Sequence, residues 1–376
     1  MKHQHSIHVT ERGLTLVELL VAMVIGLIGI LIITEALLSS DKFKRSTISA
    51  GDAQTNGALS LYTMERDIRM AGAGIANSQL LGCTPLQYYW DKAPIGPIYS
   101  KPANASSSLP DLNMAPIVIT DGGPNPDVIT ITYTDEDRRM IPGRLRSTMP
   151  QPSSELKLDE VAGFTENDLI VIAQPGQPCT MMQVTQVQLG AAIALQHNPG
   201  NSAPYNPPGG TSLFPAYTEG ALIFNMGKPI VHRYELINGN LHLTNYFMAP
   251  VAGSLPLFNN ISQLLYDNIV DLQAEYGKDN GAGGGTANDG VVDEFNNITP
   301  ATSAEWQQVL AVRIGLLARS SNLEKPTGSP STCSATTATP SWAGGNFSVP
   351  GGIPSCYKYR VFETIIPLRN MIWRES

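Results

Sequence analysis

Histidine is scarce where chemistry would need it. Past residue 8 the chain holds only His197, His232 and His242, and none stands in a catalytic triad or metal motif, so each reads as an ordinary strand or loop histidine. An enzyme, a membrane-tethered hydrolase included, finds no constellation to work with. The glycines of Gly281-Ala282-Gly283-Gly284-Gly285 look like a phosphate loop, but the Lys-Ser/Thr ending is missing and no clear helix signal follows. Cysteine is also sparse: Cys83, Cys179, Cys333 and Cys356 include no C-x-x-C pair, which disfavours zinc and thioredoxin-like sites. Charged residues make up only 15% of the chain and sum to -8, which argues against broad electrostatic binding to DNA or anionic lipid. One basic cluster, Arg138, Arg139, Arg144 and Arg146, has Asp135, Glu136 and Asp137 beside it and reads as a solvated loop. No regular repeat appears.

Apolar residues are plentiful by contrast. They make up 42% of the 376 residues, enough for a sizeable core, while 34 Gly and 28 Pro point to many turns and long loops. The run Leu14 to Ile33 has about the ~20 residues needed to cross a bilayer core, no Pro, and a single charge, Glu18. An ionised side chain in hydrocarbon costs roughly 3 kcal/mol or more, so Glu18 needs a partner or a task. A plain anchor with Glu18 near the headgroups is the simpler alternative. A secretory signal fits poorly, because its apolar region is ~7 to 15 residues long and ends at a small-x-small cleavage site. Here the run continues into Thr34-Glu35-Ala36-Leu37-Leu38.

At Arg12-Gly13-Leu14-Thr15-Leu16-Val17-Glu18 the chain resembles the prepilin family. Its members carry a short polar leader ending in Gly, then an apolar segment with Thr next and Glu at the fifth mature position. The resemblance implies that prepilin peptidase cuts between Gly13 and Leu14 and methylates the new amino terminus on Leu14, a position where Phe or Met is commoner. Cleavage would leave a cationic amine one helical turn from Glu18. A carboxylate from a neighbouring helix can neutralise that amine, relieving two buried charges at once, so Glu18, with Thr15 beside it, is expected to set register in a filament. Lys2 and Arg12 favour a cytoplasmic leader, whereas Lys42, Lys44 and Arg45 pull the other way under the positive-inside rule. The leader and the cysteines place the body outside the cytoplasm.

The expected fold is α+β and pilin-like: a leader over residues 1–13, a long helix over 14–74 with its membrane segment at 14–33, and a β-rich body over 75–376. The helix continues past the membrane because Ser39 to Met70 contains no Pro, and Ala71-Gly72-Ala73-Gly74 is a stop. Leu61, Met64, Ile68 and Ala71 share one face, and Glu65 and Arg69 form an i,i+4 pair. Gly51 and Gly57 each cost ~1 kcal/mol against Ala, which makes a bend near Ala50 an expectation. Strands are predicted at Ile117 to Thr120, Val128 to Tyr133, Leu169 to Ala173, Met181 to Leu189, Val231 to Ile237, Leu241 to Phe247, Ile269 to Tyr276, Val309 to Ala318 and Tyr357 to Leu368. Asn238-Gly239-Asn240 marks a hairpin, since Asn and Gly tolerate positive φ. The four cysteines allow three pairings. Cys83 with Cys179 and Cys333 with Cys356 is preferred, the second closing a Ser/Thr/Gly/Pro-rich loop.

A narrower resemblance lies at the end of the helix and in the C-terminal third. Met64-Glu65-Arg66-Asp67-Ile68-Arg69-Met70-Ala71-Gly72, Val270-Asp271-Leu272-Gln273-Ala274-Glu275-Tyr276-Gly277, Val309-Leu310-Ala311-Val312-Arg313-Ile314 and Arg360-Val361-Phe362-Glu363-Thr364 look like the PilW family of type IV pilus minor pilins. Membership implies a low-abundance subunit that joins other minor and major pilins in priming a pilus and sits near its tip, passing from the inner membrane to the cell surface. A minor pseudopilin of type II secretion shares the leader and helix but has a shorter body. A tip-exposed adhesin or DNA-capturing module is the reading from another class, although no nucleic acid is firmly implied. No cofactor is required. Calcium is the one metal with a ligand supply, in the loop holding Asp279, Asp289 and Asp293, though the spacing does not fit an EF-hand and a solvated turn is the simpler reading.

Overall fold

The computed structural model describes residues 13, 15–83, 86–90, 98–100, 113–134, 141–152, 155–190, 193–200, 202–207, 214–248, 257–324 and 332–372. Helix α1 (Leu16–Met70) is helical through Ala50, Gly51 and Gly57, so the expected bend is not a break. The two glycines are accommodated differently. Gly51 is exposed, whereas a Cβ on Gly57 would meet the ring of Phe362 at 2.1 Å. The glycine lets a strand approach the helix, and that packing offsets its poor propensity. The helix ends at Ala71, where ψ turns to 137°, and Gly72 and Gly74 follow with φ of +81° and +73°. These are the left-handed conformations that the glycine-rich stop requires.

The body carries, in chain order, β1 (Ile117–Thr120), β2 (Val128–Tyr133), β3 (Leu169–Ala173), β4 (Thr180–Gln183), β5 (Leu222–Gly227), β6 (Ile230–Ile237), β7 (Asn240–Asn245), β8 (Gln263–Tyr266), β9 (Ile269–Lys278), β10 (Glu294–Asn296), β11 (Val309–Arg319) and β12 (Tyr359–Pro367), with shorter strands between them. One sheet has the order β8-β7-β6-β2-β1 and a second β10-β9-β11-β12. The β6–β7 turn has Asn238 and Gly239 at φ 53° and 75°, as a two-residue hairpin with right-handed twist demands. The C-terminal half of α1 packs on both sheets: Met64, Ile68 and Ala71 share a core with Ile117, Ile129, Ile131, Tyr234, Leu272, Ile314 and Ile366.

Residues 134–229 form an insertion. β2 and β6 are adjacent and antiparallel with Tyr133 opposite Ile230, so the chain leaves the sheet and returns at neighbouring points. The insertion builds a sheet ordered Gly143–Arg144, β5, β3, β4, and a smaller one from Leu156–Lys157, Gln186–Gln188 and Ala194–Gln196. Alternation along β3 serves two cores. Leu169, Val171 and Ala173 face one shared with Ile75, Leu80, Tyr88 and Trp90; Ile170 and Ile172 face another with Leu156, Phe164 and Leu195. The single strand expected from Met181 to Leu189 is two, in different sheets. The chain turns at Val184, whose N–H donates to Asp168 O, and Thr185 N–H then donates to Gln196 O in the smaller sheet. Cys83 is joined to Cys179 and Cys333 to Cys356. The first bond ties the segment after the helix to the insertion.

Candidate functional site: the two halves of the stalk helix

The first helical turn is closed by its own side chains. Thr15 Oγ1 accepts from Glu18 N–H at 3.3 Å, and the Glu18 carboxylate accepts from Thr15 N–H at 2.9 Å and from the Thr15 hydroxyl at 2.9 Å. This is a reciprocal capping box. The Thr-x-x-Glu spacing announces it, so Glu18 has a local task besides any partner in a neighbouring helix. Gly13 is exposed just before this cap, while Leu14 and the leader 1–12 lie outside the described residues.

From Leu16 to Arg45 every residue but Gly29 is exposed, and the apolar ones point outward on all sides: Val17, Ile25 and Leu31 are 67%, 65% and 69% accessible. This helix is long and apolar enough to cross a membrane. The stretch from Leu16 to Leu38 rises about 35 Å at 1.5 Å per residue, enough for the ~30 Å of a bilayer core. A helix apolar all round cannot be matched to water, so this half is built for lipid or for other helices.

The second half is gripped at both ends. At its lower end Asn322 N–H donates to Ser49 Oγ at 2.8 Å, and Ser46 Oγ donates to Glu324 Oε1 at 2.8 Å. Lys358 Nζ reaches Ser46 Oγ and pairs with Glu324 at 2.5 Å, which holds the Glu324 carboxyl below its ordinary range. At the upper end Asp67, 8% exposed, accepts from Tyr133 OH at 2.7 Å, Tyr234 OH at 2.9 Å and His232 Nδ1 at 2.6 Å. Because a carboxylate only accepts, the ring nitrogen is the donor. Burial, then the neighbouring Asp67 charge, pushes both phenols well above their ordinary pKa. Tyr133 and His232 flank the root of the insertion, so one helix residue clamps both of its strands. The sequence reading did not single out Asp67; a charge on the buried face with Met64 and Ile68 was the available signal. His232 is a strand histidine, on β6, whose ring bonds Asp67.

The other site residues are used locally. Asp279 accepts from Asp289 N–H at 3.3 Å and Gly290 N–H at 2.7 Å, Asp293 from Gly281 N–H at 2.6 Å, and Asp289 from Val291 N–H at 2.9 Å. The three carboxylates hold turns of their own loop, and among the described residues no group of three His, Cys, Asp or Glu side chains is placed to hold a metal ion. Arg144 and Arg146 are exposed, but Arg144 stands on the edge strand Gly143–Arg144 rather than in a loop, while Arg138 and Arg139 lie outside the described residues.

The profile of the family described as Type IV Pilus-assembly protein W (PilW) matches residues 258–370, which hold β8 to β12. A second, described as the prokaryotic N-terminal methylation motif, matches residues 10–34. No curated protein matches the chain significantly. Among solved structures, the type IV-like pilin TTHA1219 from Thermus thermophilus is similar at 12% identity, over 85% of this chain and 97% of its own, with a TM-score of 0.32. The methylation motif at one end, the PilW match over residues 258–370 at the other and the naked apolar helix leading into a β-rich body together support a type IV pilus minor pilin of the PilW type.

Proposed function

We propose that the chain is cut by prepilin peptidase between Gly13 and Leu14 and methylated on Leu14. It then waits as a single-pass inner-membrane subunit with its body outside the cytoplasm, and joins other minor and major pilins in the complex that initiates the pilus and ends at its tip. The observation that carries this reading is the contrast within α1: exposed and apolar to Leu38, clasped by the body from Ser46. Such a helix can exchange lipid for neighbouring helices without disturbing the body. Glu18 supplies the register, its carboxylate passing from the Thr15 cap to the amine of an adjoining subunit.

The test is Glu18→Ala in the producing cell, with intact-mass analysis of the N-terminus. Surface pili are expected to be lost while abundance and body melting temperature stay at wild-type values. Normal piliation by the variant sinks the register argument, and an uncut N-terminus in the wild type sinks the processing step.

A further inference from the structure

Between α1 and the sheet β8-β7-β6-β2-β1 lies an open cleft of about 1320 Å³, larger than a small-molecule pocket and a groove on the surface rather than a packing defect. Its floor is the Asp67 cluster and its walls carry Arg66, Arg69 and Arg369, from α1 and from the short helix Arg369–Ile372. The acids beside these arginines are already engaged. Asp67 accepts three hydrogen bonds, and Glu65 pairs with Arg69 one turn along the helix. Arg66 and Arg369 are exposed, and neither forms an ion pair among the described residues. Arg66 and Arg369, from different elements, therefore flank one concavity without an ion-pair partner of their own, in a lining that sets three arginines against the two carboxylates Glu65 and Asp67. Arginine's planar fork suits carboxylates in particular.

The outer lip of the cleft continues along the helix. Leu59, Tyr62, Arg66 and Arg69 follow i, i+3, i+7 and i+10 spacing, on the side away from the buried Met64 and Ile68, with Leu59 and Tyr62 44% and 65% exposed. That stripe runs down onto the exposed half of α1, the surface given to neighbouring subunits in the assembly reading, on which this inference rests. We infer that the cleft docks an acidic, carboxylate-bearing segment of an adjacent pilus subunit, with Arg66 and Arg369 as its anchors and the Tyr62 ring covering its apolar stem. The occupant is a protein carboxylate rather than a nucleic-acid backbone because a chain of net charge -8 disfavours broad binding to a polyanion.

The experiment uses full-length protein in detergent micelles and fluorescein-labelled hexaglutamate, with hexaglutamine and a 20-base-pair duplex carrying the same label as comparisons. Salt-sensitive binding of hexaglutamate alone is expected. Arg66→Gln and Arg369→Gln should each weaken it about tenfold, the loss of one charge-assisted hydrogen-bonding group. Arg144→Gln, an exposed arginine far along the chain, should leave it unchanged, and all variants should keep the wild-type melting temperature. Hexaglutamate binding that survives the double variant, or an equal loss in Arg144→Gln, overturns the site. Tighter binding of the duplex through the same arginines overturns the choice of partner. Micellar binding does not depend on cleavage or piliation, so this inference and the assembly reading can fail separately.

Discussion

The C-terminal sheet and the insertion solve the same burial problem by different means. β9 and β11 are long strands paired along nearly their whole length, and β11 is buried at most positions because α1 covers one face and the loop with Trp342 and Phe347 the other. On the neighbouring β12, Phe362 meshes with the helix closely enough to need Gly57. The insertion 134–229 has strands of two to six residues, shares its core with the segment after the helix, and is fastened by a disulfide and a carboxylate. Long strand pairing dominates the first region, whereas the second adds discrete ties to two smaller cores. The segment that the PilW profile matches, residues 258–370, supplies the lower grip on the stalk through Asn322, Glu324 and Lys358, while the root of the insertion supplies the upper one at Asp67.

Cutting the ties should separate the two regions most sharply. Cys83 and Cys179 are 96 residues apart and Cys333 and Cys356 only 23, so chain-entropy arithmetic assigns about 4.7 and about 3.4 kcal/mol to the two bonds. Cys83→Ser and Cys179→Ser should behave alike and lower abundance and melting temperature more than the matched pair Cys333→Ser and Cys356→Ser. The expected map is local as well: proteolysis after the first pair of changes begins within 134–229, whereas β9 and β11 stay protected. Cleavage starting in β11 would contradict the division between the two regions.

Asp67→Ala attacks the second tie. It leaves Tyr133, Tyr234 and His232 without their acceptor, at a cost of about 3 kcal/mol, on the scale of roughly 1–3 kcal/mol for a buried donor left unsatisfied. Hydrogen exchange should quicken at residues 131–134 and 230–234 while the β11 amides keep wild-type protection. Uniform acceleration across both sheets would mean that Asp67 supports the whole body instead of the root of the insertion.

These differences also decide how much could be read beforehand. The ends of α1, the β6–β7 turn and the courses of β9, β11 and β12 were legible because apolar periodicity and glycine placement are local properties. β5 was not: its residues Leu222–Gly227 are nearly all buried and do not alternate, and Asn225 is there to bond Gly163 O and Asp168. Asp67 reads as one more charge on a helix until strands far along the chain deliver three donors to it. Asp279, Asp289 and Asp293 show the converse: ligand chemistry was visible in the sequence, but each carboxylate is turned onto a backbone N–H that only the folded loop presents.

The smallest expected effect lies where β1 and β2 turn against the C-terminal sheet. Asp127 is 2% exposed and accepts from Gly122 N–H at 2.9 Å and Ala274 N–H at 2.8 Å, so it joins the two sheets through a carboxylate. Burial outweighs those two bonds and pushes its pKa up to about 6. In the unfolded chain an aspartate releases its proton near pH ~4. Between those values the folded protein holds a proton that the unfolded chain has lost, so this group's contribution to stability falls as pH rises from about 4 to about 6 and is level above. Glu324, with its carboxyl held low, works in the opposite sense, its contribution fading as pH falls through the ordinary glutamate range, but it is the same in both proteins and cancels from their difference. Asn cannot titrate and has one acceptor oxygen for two donors, so Asp127→Asn should be the less stable protein by about 1 to 2 kcal/mol at pH 4. The gap should then narrow by roughly 1.4 kcal/mol by pH 7, taking half of the shift to allow for water reaching the turn. Melting temperatures of both proteins at pH 4, 5, 6 and 7 measure it. Parallel curves would show that Asp127 is ionised throughout and that its two backbone bonds, rather than its burial, set its behaviour.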